Sequence, residues 1–197
     1  RMIMERGGKC GVDEVDVSRR EAVRRFALGV IARDGAVDVV FNNAGIIPMF
    51  ERYESSDYSV MEKMLSVNFW GVVHGSREFL PHLLSRPEAA LVNTSSVSGL
   101  VAYMGLAPYV ASKFAVRGFT ETLRMEYLKS NVSVTTVYPG AIATRIKENS
   151  PLYSEEEKRK AKAQFEDAKT VNRLTSPKTA ARKIVDGMLA GKARVVI

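Results

Sequence analysis

A single cysteine, Cys10, stands in a chain of 197 residues. Without a second thiol there can be no internal disulfide and no zinc site built from cysteines, a usage that fits a reducing cytoplasm. Long apolar runs are missing too. None approaches the roughly 18 residues that a membrane-spanning helix needs, and the opening residues "RMIMERGG" lack the apolar stretch of a signal peptide. A soluble, cytoplasmic protein without a membrane partner is expected. Histidine is scarce, with only His74 and His82, eight apart, so no metal site is expected. Low-complexity tracts and linkers are absent, and with 46% hydrophobic residues the chain reads as one globular domain spanning 1–197.

What is present begins with charge. Lysine and arginine number 29 against 22 acidic residues, a formal charge of +7, which raises the question of a nucleic-acid partner. The distribution argues against one. Basic residues fall in short groups mixed with acids, as in "SRREAVRR" and "EEEKRKAKAQFED", the pattern of solvated helix faces rather than of a basic groove.

The period of the apolar residues switches repeatedly along the chain. The stretches at 11–17, 37–43, 89–96, 132–140 and 193–197 are short, rich in β-branched residues and mostly closed by turn formers, so they predict strands. Between them lie helical patterns: one opened by a capping box of Ser18 and Glu21, one over about 56–85, one over about 107–130. A charged segment over 154–169 follows, then a last helix with Ser176 as N-cap, Pro177 at its first position and Gly191 after its end. Strand and helix alternate with no hairpin signal. The fold class predicted is α/β: a Rossmann-type, doubly wound parallel sheet in three layers.

In such sheets ligands sit beyond the carboxyl ends of the strands. Three of those ends read "NNAG", "NTSSVSG" and "YPGAIAT", which place small or polar residues where backbone must come close to a ligand. Helix 107–130 carries "YVASK", in which a tyrosine and a lysine four apart share one face, so that an ammonium can stand near a phenol. About 0.4 such pairs are expected by chance in a chain of this composition, so the pair alone decides nothing. Its company does.

Taken together the motifs resemble the short-chain dehydrogenase/reductase family. The matching residues are Asp16 and Val17, "NNAG" at 42–45, Asn68 in "SVNFWG", Ser96 thirteen residues before Tyr109, Lys113, and Pro139 and Gly140 with Thr144 following. The resemblance implies an oxidoreductase that interconverts a carbonyl and an alcohol with NAD or NADP. It implies Tyr109 as general acid and base, Ser96 bound to the substrate oxygen, and Lys113 lowering the phenol pKa and holding the nicotinamide ribose. Asn68 would fix a proton-relay water. On the cofactor side it implies Asp16 and Val17 at the adenine, Asn43, Ala44 and Gly45 along the adenosine, and Pro139, Gly140, Ile142 and Thr144 around the nicotinamide. Members pair their long helices, so a homodimer or homotetramer is expected.

One family feature is missing, the glycine-rich TGxxxGxG turn after the first strand; none of the fourteen glycines has that spacing. The expectation is that the first two strands and their helices, roughly 50 to 60 residues at about 30 per strand–helix–strand unit, precede this chain in the protein. Discrimination between NAD and NADP rests on that region. On the substrate side, a lid over about 145–175 with Ile146, Leu152, Tyr153 and Phe165, together with 46–50 and 99–107, suggests an apolar ketone, alcohol or steroid-like substrate. Two alternatives stay open: a non-catalytic binding or regulatory protein of the same fold, and an epimerase-like enzyme acting on nucleotide sugars.

Overall fold

The computed structural model describes residues 3–170 and 174–197, without the side chains of residues 161 and 164–170. Phe165 therefore lies outside the described residues. After α1 (Arg20–Asp34) come β1 (Val39–Asn42), a helical stretch of α2 (Tyr58–Met64), a π-helical turn (Leu65–Trp70) and α3 (Gly71–Leu84), then β2 (Ala89–Thr94), α4 (Ala107–Glu126) and β3 (Val132–Tyr138). The chain continues through α5 (Glu155–Thr170) and α6 (Pro177–Leu189) to β4 (Arg194–Val196). The four strands form one parallel sheet in the order β1-β2-β3-β4.

The register explains how the sheet divides its side chains. Val40 pairs with Leu91 and Leu91 with Val134, so these three share a face, and they pack on Ala27 of α1 and on Phe79, Leu80 and Leu83 of α3, with Leu123 of α4 beside them. The opposite face carries Val92, Val137 and Val195 against Ile184 and Met188 of α6. Helices thus cover both faces, as the α/β pattern predicted. Toward the carboxyl ends the α3/α4 face turns polar. Asn42 donates to Asn93 at 2.8 Å and Asn93 to Thr120 of α4 at 3.1 Å, which ties β1, β2 and α4 together just beneath the strand ends. A Cβ on Gly75 of α3 would collide with the Asn42 amide, so only glycine lets the helix approach this closely.

Two expectations need correction. Residues 11–17 are not a strand in the structure. A β-branched segment makes a strand only when a ladder partner is at hand, and this segment leans on a helix instead, Val17 packing on Gly71 while its carbonyl meets His74 at 3.1 Å. The capping box at Ser18 is not formed either. The Ser18 hydroxyl donates to Asp16 at 2.7 Å, and α1 begins after Arg19 without a side-chain cap. A reciprocal capping box exists elsewhere, at the start of α5. There the Ser154 N–H donates to the Glu157 carboxylate at 2.7 Å and the Glu157 N–H to the Ser154 hydroxyl at 3.3 Å. Ser176 caps α6 as expected.

Candidate active site

The ends of β1, β2 and β3 open on one cleft of about 980 Å³, with Tyr109 and Lys113 of α4 on its wall. Pro108 at the start of α4 suits a first helical turn, whose N–H groups have no partner within the helix. One turn later the helix presents both side chains to the strand ends. Lys113 is only 4% exposed and donates from Nζ to the Thr94 carbonyl at 3.1 Å. Burial pulls its pKa down to about 8, because an ammonium in a poorly solvated site loses its hydration. Nζ stands 5.6 Å from the centre of the Tyr109 ring.

Tyr109 is buried as well, and burial raises its pKa above the ordinary tyrosine value while the neighbouring Ser96 hydroxyl draws it partly back. The expectation that Lys113 would make the phenol acidic is not met by the protein alone. The same dry surroundings that disfavour the ammonium disfavour the phenolate. Ser96 leaves β2 in extended conformation and starts a short 3₁₀ turn, its hydroxyl accepting from the Ser98 N–H at 3.1 Å and reaching the Pro139 carbonyl at 3.4 Å. Its place is thereby fixed between two strand ends.

Asn68 sits in the π-helical turn, fully buried. Its amide accepts from the Ile46 N–H at 2.8 Å, donates to the Ile46 carbonyl at 3.0 Å, and reaches Ser112 at 3.2 Å. Ser112 in turn donates to the Tyr109 carbonyl at 2.7 Å. A chain of hydrogen bonds therefore runs from the loop after β1, through Asn68, to the helix that carries the phenol. Gly45 lies between these groups. A Cβ there would come within 3.3 Å of Asn68 Oδ1, a tight approach, and make ordinary contact with Lys113 Nζ at 3.5 Å.

A family model described as "short chain dehydrogenase" matches residues 3–155. The "Putative oxidoreductase SadH" of Mycobacterium tuberculosis is 41% identical over 199 residues, which take in all of this chain and 71% of that protein. This chain belongs to the short-chain dehydrogenase family. The "3beta-hydroxysteroid dehydrogenase 2" of Eggerthella lenta is 34% identical over 145 residues, 73% of this chain and 56% of that one. Among solved structures, a short-chain dehydrogenase/reductase from Burkholderia phymatum in complex with NAD superimposes with a TM-score of 0.85 at 26% identity, covering 98% of this chain and 72% of its own.

The residues nominated by the short-chain dehydrogenase pattern divide into two groups. Asn43, Ala44, Gly45, Ser96, Tyr109, Lys113, Pro139, Gly140, Ile142 and Thr144 all line the large cleft, and Asn68 stands directly behind Gly45. The segment after β3 is held in place by backbone bonds, Gly140 N–H to the Ile197 carbonyl and Ala143 N–H to Thr175. Asp16 and Val17 are not brought to that cleft. Val17 lines a second groove of about 320 Å³ beside β1, which meets the first at Asn43 and Ala44, and the Asp16 carboxylate is held by Ser18, whose hydrogen bonds lower its pKa. Motif matching overlooked the residues that hold the site together: Ser95, whose hydroxyl donates to the Lys113 carbonyl at 2.8 Å, and Ser112. A serine within a helical pattern is a poor helix former, and that was the available signal for Ser112. Among the described residues no cluster of His, Cys, Asp or Glu could hold a metal ion, and no helix is long and apolar enough to cross a membrane.

Proposed function

We propose that this short-chain dehydrogenase interconverts a carbonyl and an alcohol with NAD or NADP, and that Tyr109 is the group that gives and takes the proton. The observation that carries this reading is the convergence of Tyr109, Ser96 and Lys113 on one cleft. The residues present fit a nicotinamide cofactor. Lys113 offers three N–H donors and uses one, on Thr94, which leaves buried donors suited to ribose hydroxyls. Gly45, Ala44, Gly140 and Ala141 keep the cleft floor low. Asn43, Ala44 and Gly45 would hold the adenosine side, Pro139, Gly140, Ile142 and Thr144 the nicotinamide side, and Asp16 and Val17 the adenine along the second groove. The cofactor, when bound, supplies or accepts the hydride.

The chain's own residues handle the proton. A phenol whose pKa is raised by burial is fully protonated at neutral pH, which is the form needed to donate to a carbonyl oxygen as that oxygen gains charge. The Ser96 hydroxyl donates to the same oxygen and stabilises the developing alkoxide. Lys113, as an ammonium below about pH 8, offsets the phenolate left behind. Asn68 holds this arrangement through Ile46 and Ser112, and its part in a water relay to the lysine rests on the family resemblance.

Ile47, Phe50, Tyr103, Leu106 and Ile146 line the cleft beside Arg145, Lys147, Glu148 and Asn149, and the apolar side chains favour an apolar ketone or alcohol. Exposed Trp70, Phe114, Met125 and Leu128 on and beside the long helices favour pairing into a homodimer or homotetramer. The test is to titrate the protein with NADH and NADPH by nicotinamide fluorescence, to screen ketones for turnover, and to repeat both with Tyr109→Phe. Cofactor binding retained with turnover lost is expected. A variant that binds cofactor and still reduces ketones at the original rate sinks the assignment.

A further inference from the structure

The segment that follows β3 lines the cleft and is fastened to the loop that follows β1. Ser150 is fully buried, and its hydroxyl donates to the Ile47 carbonyl at 2.7 Å. Tyr153, also buried, donates from its phenol to the Pro48 carbonyl at 3.0 Å. The same two loops also meet where the Lys147 ammonium stands 5.8 Å from the centre of the Phe50 ring. Three contacts thus join two loops whose sequence positions are about a hundred residues apart.

The wall residues lie next to these fastenings on both sides. Ile47 and Phe50 line the cleft from one loop, Ile146, Lys147 and Asn149 from the other. Ile47 and Leu152 also pack on the cluster that contains Tyr109. The first loop is anchored at its far end by the two hydrogen bonds from Asn68 to Ile46, and at its exit by the Glu51 N–H to the Gly105 carbonyl. It hangs between the proton-transfer machinery and the clasp. Apolar side chains at 150 and 153 would bury as well as these do, so the two hydroxyls contribute a fixed geometry more than they contribute burial.

We propose that Ser150 and Tyr153 are positioning residues that set the width of the substrate cleft and so favour compact apolar ketones over bulky ones. The proposal rests on the carbonyl–alcohol reading above. With the clasp closed, Ile47 and Phe50 hold a small ketone against Tyr109. With it released, the two loops part, small ketones lose their wall and larger ones gain room.

The experiment compares wild type with Ser150→Ala, Tyr153→Phe and the double variant, using cyclohexanone as the compact ketone and 4-phenylcyclohexanone as the bulky one, each with NADH and NADPH. Binding of the nucleotides should stay within about twofold. For cyclohexanone KM should rise about tenfold with kcat nearly unchanged, while kcat/KM for the bulky ketone holds or rises, so the preference shifts by at least tenfold. Amide hydrogen exchange over 145–153 reads the clasp without turnover and should speed up in each variant. An unchanged ketone preference in variants whose exchange has quickened overturns the role in specificity. Unchanged exchange overturns the clasp itself. Should wild type reduce neither ketone with either nucleotide, the reading under Proposed function is what fails, and hydrogen exchange still decides whether the clasp exists.

Discussion

The two ends of the long groove system differ in how much water they see. At one end Tyr109, Lys113, Ser96 and Asn68 are all buried, with Lys113 held by the Thr94 carbonyl and Asn68 by Ile46 and Ser112. At the other, the Asp16 carboxylate is exposed. Charges and dipoles act strongly only where water is excluded. The buried end is therefore where proton chemistry can be steered, and the open end can do little more than align a ligand. If that contrast is right, substitutions at the buried end should change rates by orders of magnitude and those at the open end should barely register. The largest effect falls on Tyr109→Phe, which removes one hydroxyl from the cleft. We expect kcat to drop about a thousandfold or more, within or above the usual range for loss of a general acid, with nucleotide affinity measured by fluorescence hardly altered.

Lys113 sharpens the contrast because its contributions to catalysis and stability have opposite signs. Its pKa is about 8 in the folded protein against an ordinary value of 10.5, so the unfolded chain holds its proton to higher pH. The cost of keeping the ammonium buried is complete below about pH 8 and is relieved as pH climbs toward 10.5; it corresponds to about 3 kcal/mol. Lys113→Met removes that cost but leaves the Thr94 carbonyl without its donor, so the net gain in urea unfolding at pH 7 should be about 1 to 2 kcal/mol. Activity should fall about a hundredfold. In wild type, kcat/KM for ketone reduction should decline as pH rises through about 8, because the ammonium that offsets the phenolate is then lost, and the variant should lack that limb. A variant less stable than wild type at pH 7 would show that the buried charge is better compensated than Thr94 alone allows.

How much of this was legible in one dimension differs between the same two regions. The strands at 89–94 and 132–138 could be read because β-branched runs ending in turn formers reflect burial on both faces, a local property of composition, and those at 39–42 and 194–196 share the same composition. That Tyr109, Lys113 and Ser96 would meet at one cleft could be read from the helical spacing of the first two and from the polar strand end that carries the third. Residues 11–17 were misread for a physical reason: the β-branched Val12, Val15 and Val17 state a preference, whereas a strand needs a neighbour's backbone. Ser112, Ser150 and Tyr153 were invisible as anchors because their partners lie far away in sequence; Ile47 and Pro48 announce nothing about which hydroxyl will meet their carbonyls. The π-helical turn at 65–70 is intermediate. Asn68 marks a weak point in a helical pattern, but only the structure shows that its amide spans from Ile46 to Ser112.

Asp16→Asn is the smallest expected effect and the one that best tests the open end. The Asp16 carboxylate accepts from the Ser18 N–H at 3.0 Å and from its hydroxyl at 2.7 Å, and those bonds, with some help from Lys63 and Arg19, hold its pKa below the ordinary carboxylate value. An asparagine keeps an acceptor oxygen for Ser18 and loses only the charge. At an exposed turn, unfolding free energy should shift by less than about 0.5 kcal/mol, and kcat should not move. What should change, by a few-fold, is nucleotide affinity, because an amide oxygen accepts a hydrogen bond from an adenine amino group less strongly than a carboxylate does. Loss of turnover at unchanged affinity would mean that the open end reaches into the chemistry after all, through the Val17 contact with Gly71 and the helix that leads on from Asn68.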